Sequence, residues 1–369
     1  MYQPKTISGK EMVEDGAYTV YGANGVIGRY HQFNHEEPQL LITCRGATCG
    51  SVNISAPRSW ITGNAMVVRP KNGSLQMRYL EYLFRGGIDI SRAITGAAQP
   101  QITRQNLAPL EISYPASIDE QQRIVGILDE AFEDIAKARA NSERNLQNAR
   151  ALFESHLQSV FTQRGPGWVE TTLEKVLAVQ PQNGWSPPAA NHSDSGTPVL
   201  TLSSVTGFHF RPGKLKFTSA STDSRRNYWV KNGDFLITRS NTPELVGHVA
   251  IALGINEPTI YPDLIMRMNP APDRVLTEFL YYQMRSPSMR KVITGRAQGA
   301  NPTMKKISNG AVKTLPVAVP SIGTQRAIVE TLDALSAETQ RLESIYQQKL
   351  AALEALKKSL LHQAFTGKL

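Results

Sequence analysis

The phrase GTQRAIVETLDAL at residues 323–335 restates, with changes, the phrase DEQQRIVGILDEA at residues 119–131. With Ile124 set against Ile328 and Val125 against Val329, the offset of 204 holds without a gap. It runs through Leu128 and Leu332, Asp129 and Asp333, Leu146 and Leu350, Leu152 and Leu356, Leu157 and Leu361, to Phe161-Thr162 against Phe365-Thr366. Apolar residues recur at alternating steps of three and four in both copies. The first carries Ile124, Leu128, Ile135, Leu146 and Leu157, the second Ile328, Leu332, Leu342, Leu350, Leu353, Leu356 and Leu360. Such spacing predicts a coiled-coil seam of about six heptads. No proline interrupts either segment, and each follows a proline-marked strand end, SYPASIDEQ in one copy and AVPSIGTQ in the other. At 1.5 Å per residue each helix is about 65 Å long.

Chain connectivity then predicts the architecture. Residues 164–320 are few enough to fold as one globule with neighbouring ends, so the second helix is expected to return antiparallel along the first. Residues 1–116 are expected to form a second globule at the other end of the rod. The expected fold is α+β, with two globular domains separated by two long antiparallel coiled-coil helices and an internal pseudo-two-fold repeat. The expected boundaries are residues 1–116, 117–163, 164–320 and 321–369.

The globular parts repeat more loosely. QLLITCRGAT (39–48) parallels DFLITRSNTP (234–243), each an apolar strand running into a polar, arginine-bearing turn. AMVVRP (65–70) parallels LIMRMNP (264–270), and residues 90–115 parallel residues 289–320. Each globule is expected to hold one amphipathic helix, MRYLEYLFRG or TEFLYYQMRS. Matching Gln3-Pro4 to Gln180-Pro181 leaves residues 167–179 of the second copy without a counterpart, so the first globule is expected to lack an opening strand or helix.

Composition narrows the function. The chain carries a net charge of +9, of which residues 117–163 hold −3 and residues 321–369 hold +1, so the remainder holds +11. Basic charge concentrated outside the helices suits a protein that grips a polyanion with its globules. No apolar run is long enough for a membrane span or a signal peptide, which points to the cytoplasm and away from membranes. Cys44 and Cys49 lack companion ligands and are expected to be structural, with no metal site. No P-loop, HExxH or methyltransferase Pro-Pro-Tyr phrase is present, so no catalytic residue is assigned. GANGVIG (22–28) reads as a hairpin turn because no βαβ unit follows it.

The residues YPASIDEQQRIVGILD, VPSIGTQRAIVETLD and KSLLHQAFTGKL resemble the conserved helical regions of the specificity (S) subunits of Type I restriction-modification systems. GWVETTLEKV, YGANGVIG and LLITCRGATCG are similar to phrases of that family's recognition domains. The resemblance implies a non-catalytic reader of double-stranded DNA. Each domain would read one half of a split target, the helices would set the gap, and two modification subunits would dock on the helices to methylate adenine with S-adenosylmethionine. Restriction (motor-nuclease) subunits would add ATP- and Mg-dependent cleavage. The helical positions implied in seam and docking are Ile124, Leu128, Ile135, Leu146, Ile328, Leu332, Leu342 and Leu353. The alternative is a coiled-coil adaptor with no nucleic-acid role, for which balanced charge would be expected.

Candidate DNA contacts follow from residue chemistry. Residues 286–313 hold Arg290, Lys291, Arg296, Lys305 and Lys306 with no acidic residue, and offer Gln298 and Asn301, whose amides can pair bidentately with adenine. The other copy supplies Arg92, Gln99, Gln101 and Arg104. The strand-end turns add Arg45 and Thr48, or Arg239 and Asn241. Lysines would hold phosphates, while Arg, Gln and Asn on glycine-rich loops would read base edges. Duplex DNA turns once in about 34 to 36 Å, so a 65 Å rod suits two short sites about one turn apart.

Overall fold

The structure, a computed structural model, describes every residue except Asn72 and Pro302. It divides into two compact units, Met1–Arg144 with Tyr346–Leu369, and Asn145–Ile345. Each unit holds one globule together with part of each long helix.

In the first unit β1 (Tyr18–Gly22), β2 (Gly25–Tyr30), β3 (Leu40–Thr43), β4 (Val52–Ile54), β5 (Trp60–Ile61) and β6 (Ala65–Val68) form two sheets, ordered β2-β1-β5 and β4-β3-β6. The GANGVIG phrase is the β1–β2 hairpin, with Gly25 at φ +104° supplying the turn that favours glycine. Strands β3 and β6 are buried at every residue, which is why LLIT reads as an unbroken apolar run. Leu40, Ile42 and Met66 join Leu80 of α1 (Met77–Tyr82) in one core, while Leu41, Ala65 and Val67 serve another. A small hairpin of β7 (Ile94–Thr95) and β8 (Gln101–Ile102) leads into α2 (Arg104–Leu107), capped by Thr103, which accepts from the Asn106 amide at 3.2 Å.

Next comes α3 (Ile118–Thr162). Its Ile124, Val125 and Leu128 cluster with Tyr79, Tyr82, Leu361 and Ala364. Arg123 donates to the Leu369 carbonyl at 2.9 Å and Arg139 pairs with Glu354. Positions rise on one helix as they fall on the other, so the two stretches run in opposite directions.

The second unit is larger. Its strands are β9 (Val169–Thr172), β10 (Leu177–Asn183), β11 (His192–Ser193), β12 (Thr197–Leu200), β13 (Leu215–Thr218), β14 (Trp229–Val230), β15 (Phe235–Thr238), β16 (Ser240–Asn241), β17 (Val249–Ile251), β18 (Thr259–Ile260), β19 (Ile265–Pro270), β20 (Lys305–Lys306) and β21 (Pro316–Val319). They build a sheet ordered β10-β19-β15-β17, another ordered β11-β13-β12-β18-β14, and the pairs β16-β20 and β21-β9. Helices α4 (Thr277–Arg285), α5 (Pro287–Arg296), α6 (Asn309–Lys313) and α7 (Ile322–Phe365) complete it. Phe153, Leu157 and Phe161 of α3 and Leu332 of α7 share a core with Phe279 and Leu280 of α4. Arg150 meets Glu343 at 2.8 Å, and Phe161, further along α3, shares its cluster with Leu332, further back on α7, so here too the helices run oppositely.

The same fastenings occur in both units. Gln121, fully buried, donates to the Ser74 and Pro115 carbonyls at 2.9 and 2.8 Å and accepts from the Gln76 amide at 2.8 Å. Gln325, also fully buried, donates to the Arg274 and Pro320 carbonyls at 3.0 and 2.9 Å and accepts from the Leu276 amide at 2.8 Å. The Tyr82 hydroxyl donates to Asp129, and that of Tyr282 donates to Asp333 at 2.5 Å. Phe365 packs edge-on to Tyr79 at 5.3 Å as Phe161 does to Phe279 at 5.4 Å.

Two expectations require correction. Leu356, expected in the seam, is 47% exposed and does not lie in it; its repeat match Leu152, which the spacing had left out, is 63% exposed. An α-helix of 3.6 residues per turn drifts off a 3.5 repeat, which carries these positions round to the outer face. Ile124, Leu128 and Leu332 are buried, whereas Ile135, Leu146, Ile328, Leu342 and Leu353 are half-buried. Secondly, among the described residues the proline-marked strand end ahead of the long helix is found in the second unit alone, as β21. That segment is a strand by pairing with β9, whereas residues 111–114 pair with no described residue and form no strand.

Candidate nucleic-acid interface

In the second unit, β15 delivers its buried run FLIT into the turn bearing Arg239 and Asn241. This turn pairs with β20, Ser240 opposite Lys306 and Asn241 opposite Lys305, and the Ile307 amide donates to the Arg239 carbonyl at 2.9 Å. Lys306 also exchanges backbone hydrogen bonds with Gln298 at 2.7 and 2.8 Å. The pairing gathers Arg239, Arg296, Gln298 and Lys306 around a shallow depression of about 420 Å³ that no carboxylate lines. Arg239 Nη1 also donates to the Asp263 carbonyl at 3.4 Å and stands 3.9 Å from the Asp263 carboxylate. The cations and the amide at this hollow can bind a phosphate and a base edge together.

Several of the candidates, Arg296 at the hollow among them, are also held by protein partners. Arg296 Nη1 donates to the Ala311 carbonyl and the Thr314 hydroxyl, at 3.2 and 3.0 Å. Asn241 donates to Thr206 at 3.2 Å and accepts from the Thr242 amide. Asn301 caps its own loop through Thr303, and Lys305 Nζ donates to the Gly299 carbonyl at 2.8 Å. Arg290 and Lys291 lie on α5, a second helix where glycine-rich loop was expected. Lys291 is exposed. Arg290 instead braces the fold: it donates to the Glu244 and Val246 carbonyls at 3.2 and 2.6 Å, and burial pushes its pKa down to about 10. Beneath it His248 stacks on Phe208 at 4.1 Å, accepts from the Gly207 amide and donates to the Glu244 carbonyl. Burial, and then the Arg290 charge, lower its pKa to about 4, so the ring is neutral.

The first unit builds a smaller version. The Ile102 amide donates to the Cys44 carbonyl at 2.9 Å and the Gly46 amide to the Pro100 carbonyl at 3.0 Å, which sets Arg45 beside Gln101. Gly96 turns the hairpin at φ +83°, where a Cβ would meet the Gln99 carbonyl oxygen at 2.6 Å. Arg45, Thr48, Gln99, Gln101 and Arg104 are all exposed. Arg92, also exposed, stands 3.7 Å from Asp89.

Sequence reasoning missed one group in the second unit. Trp185 and Tyr228 lie 5.2 Å apart beside a hollow that Arg226 also lines. The side chains of Arg225 and Arg226 are 89% and 72% exposed and turn back on Asp223. The adjacent arginines of DSRRNYW, next to aromatics, were the signal available. Cys44 is buried and Cys49 half-buried, both unpaired, and burial raises both thiols. Among the described residues no group of His, Cys, Asp and Glu could hold a metal ion, and no helix is long and apolar enough to cross a membrane.

Comparison with known proteins adds relatives to this geometry. The family model for the Type I restriction modification DNA specificity domain matches residues 3–143 and 166–354. The specificity subunit of the Type I restriction enzyme EcoKI from Escherichia coli (strain K12) is 29% identical over 181 residues, which are 48% of this chain and 39% of that protein. The EcoEI specificity subunit of Escherichia coli is 22% identical over 205 residues, 53% of this chain and 34% of that one. The matched stretches thus span under two fifths of these relatives. A chain solved in work on complex assembly and conformational transition of the type I R-M system shares the fold, with a TM-score of 0.77 at 18% identity over 100% of this chain and 95% of that one. The HsdS subunit from Thermoanaerobacter tengcongensis gives 0.58 at 19% identity over 91% and 82%.

Proposed function

Because this chain belongs to the Type I restriction modification DNA specificity family, we propose that it is the non-catalytic, DNA-reading subunit of a Type I restriction-modification complex in the cytoplasm. Each globule reads one half of a split target in double-stranded DNA. The observation that carries this reading is the strand-end turn zipped to a glutamine-bearing loop, which occurs in both units and brings Arg239, Gln298 and Lys306, or Arg45 and Gln101, to one surface. The exposed candidates Arg92, Gln99, Arg104 and Lys291 would extend that surface, with Arg225 and Arg226 as added phosphate contacts.

The remaining roles belong to the same proposal. The long helices pair as an antiparallel coiled coil, carry the pseudo-two-fold repeat and set the gap between half-sites. Two modification subunits dock on the helices. Leu152 and Leu356, large, apolar, exposed and 204 residues apart, suit one equivalent contact for each. S-adenosylmethionine serves the modification subunits, and ATP with Mg serves restriction subunits; this chain binds none of them.

The test is duplex binding by the chain with its modification subunit across a salt series, using a target found by mapping methylated adenines in the host. Replacing Lys306 by Ala is expected to lower the salt slope by about one and weaken all duplexes alike. Arg239→Ala is expected to cost about 1–3 kcal/mol and relax one base position. Absence of any salt-dependent duplex binding would falsify the reading.

A further inference from the structure

Arg239 leaves the end of β15 and Asp263 leaves the approach to β19, the neighbouring strand, where Thr238 stands opposite Ile265. The Arg239 amide donates to the Leu264 carbonyl at 2.8 Å and the Ile307 amide to the Arg239 carbonyl at 2.9 Å, so the backbone beneath both side chains is fixed. Asp263 is oriented as well. Its Oδ1 accepts from the Ser186 hydroxyl, its amide donates to the Ser186 oxygen at 3.3 Å, and the Trp185 amide anchors that segment by donating to the Tyr261 carbonyl at 2.9 Å. This leaves Oδ2 facing Arg239 Nη1 at 3.9 Å. The guanidinium is held loosely. Among the described residues its one hydrogen bond is the 3.4 Å contact with the Asp263 carbonyl, and its Nε is buried without a partner. A half-exposed ion pair at this distance contributes little to stability, so the guanidinium can turn to a ligand at small cost.

The first unit has the same backbone without the pair. Thr43 stands opposite Ala65, and the Cys44 amide donates to the Asn64 carbonyl at 3.0 Å, as that of Arg239 does to Leu264. Cys44 and Gly63 therefore occupy the places of Arg239 and Asp263, while Arg45, opposite Gln101, occupies that of Ser240, opposite Lys306. The fold needs neither charge there. A carboxylate beside a cationic hollow lowers the attraction for every phosphate, a loss that discrimination between bases offsets. In the major groove a G·C pair presents the acceptors N7 and O6 on guanine beside the donor N4 on cytosine, and an arginine next to an aspartate offers the complementary pattern. We infer that Arg239 and Asp263 act together as the reader of one G·C pair in the half-site bound by the second unit, Arg239 on guanine and Asp263 on the cytosine amine. Asp263 is a specificity-determining residue in this pair, because an A·T pair in its place turns the O4 acceptor of thymine toward the carboxylate. The inference rests on the DNA-reading function proposed above, and by it the first unit, with Cys44 and Gly63, has no such reader at this place.

The test uses the full chain with its modification subunit, the target found by mapping methylated adenines, and duplexes carrying each base pair in turn at every position of both half-sites. Asp263→Ala is expected to lower the preference for G·C over A·T about tenfold at one position and to leave the others unchanged. Arg239→Ala is expected to relax that same position, and the double variant to relax it no further, since the two side chains act as a unit. Ser186→Ala leaves both charges in place but frees the carboxylate, and is expected to weaken the same preference, which keeps the test independent of how well the Asp263 variant folds. The pair is overturned if the position sensitive to Arg239 is not G·C, or if Asp263→Ala leaves every base preference intact. Tighter binding of all duplexes alike by Asp263→Ala, with preferences intact, likewise overturns it and reduces Asp263 to a charge that offsets Arg239. An unaltered complex that binds no duplex removes the proposed function and this pair with it, whereas normal duplex binding with any of the other results removes the pair alone.

Discussion

The two units are fastened alike and filled differently. In each, a buried glutamine near the start of a long helix ties three backbone groups together, a tyrosine hydroxyl meets a helix aspartate, and an aromatic from the end of the other long helix packs edge-on to the globule's helix. The fillings diverge: the second core takes Trp168, Leu173 and Val176 from its own opening segment, whereas the equivalent floor of the first is open. Backbone groups in a dry junction must be satisfied wherever that junction recurs. An apolar floor tolerates exposure at the cost of stability alone.

The largest effect expected from this comparison is in the cores. Leu332 and Leu128 are both fully buried at matched positions, Leu332 in the larger cluster with Phe153 and Phe279, Leu128 in a smaller one. Replacement by alanine is expected to cost about 2–5 kcal/mol in each case, with Leu332→Ala toward the upper end because its tightly packed surroundings collapse least. Urea unfolding followed by tryptophan fluorescence measures both. A larger loss for Leu128→Ala would break the ranking of the two cores.

Next is the glutamine pair. Gln121→Leu and Gln325→Leu each strand two carbonyls and one amide, at about 1–3 kcal/mol. Because the contacts match bond for bond, the two losses are expected to agree within about 0.5 kcal/mol. A divergence beyond that, measured in the same urea series, would mean that the first junction admits water through the open groove.

Much of this was legible in the sequence. The 204-residue offset marked both helices and matched Gln121 to Gln325 before any contact was visible. The runs LLIT and FLIT announced central strands, because a strand buried on both faces needs no polar alternation. The heptad count failed at Leu356, since apolar spacing cannot tell the facing seam from a drift of a few tens of degrees. Residue type could not separate Arg290 from Arg239 either. Both are arginines on basic stretches, but only three-dimensional packing buries Arg290 against the Glu244 and Val246 carbonyls while Arg239, paired with Asp263, lines an open hollow. The unmatched stretch of the second copy, residues 167–179, was readable as a gap in the repeat, though not the open floor in the first unit.

A smaller effect separates the units by acid. At the turn where the Thr238 amide donates to the His248 carbonyl, the first unit has the Thr43 amide donating to Ser51. His248 has a folded pKa of about 4, below its usual value of about 6.5. The folded state therefore binds fewer protons in that window, and its stability falls as pH drops from 6.5 toward 4, by up to about 1.4 kcal/mol per pH unit. His248→Gln keeps a donor and an acceptor but cannot be protonated, and is expected to flatten the slope of Tm against pH in that range. An unchanged slope would remove His248 as the source.

The smallest effect tests how alike the tyrosine fastenings are. Asp129 receives the Tyr82 hydroxyl and also Arg78, at 2.6 Å, and Arg78 is held in turn by Glu81. Asp333 receives, among the described residues, the Tyr282 hydroxyl alone, because Glu278 occupies the place of Arg78. Removing one donor from a carboxylate with two leaves it charge-paired, whereas removing it from a carboxylate with one leaves only solvent. Tyr282→Phe is therefore expected to cost about 1 kcal/mol and Tyr82→Phe about half of that. In the double variant Tyr82→Phe with Arg78→Met, Asp129 loses both partners and the loss is expected to reach or exceed that of Tyr282→Phe. If Tyr82→Phe alone already equals Tyr282→Phe, the guanidinium contributes nothing, as exposed ion pairs often do not, and the two junctions are energetically the same despite their different residues.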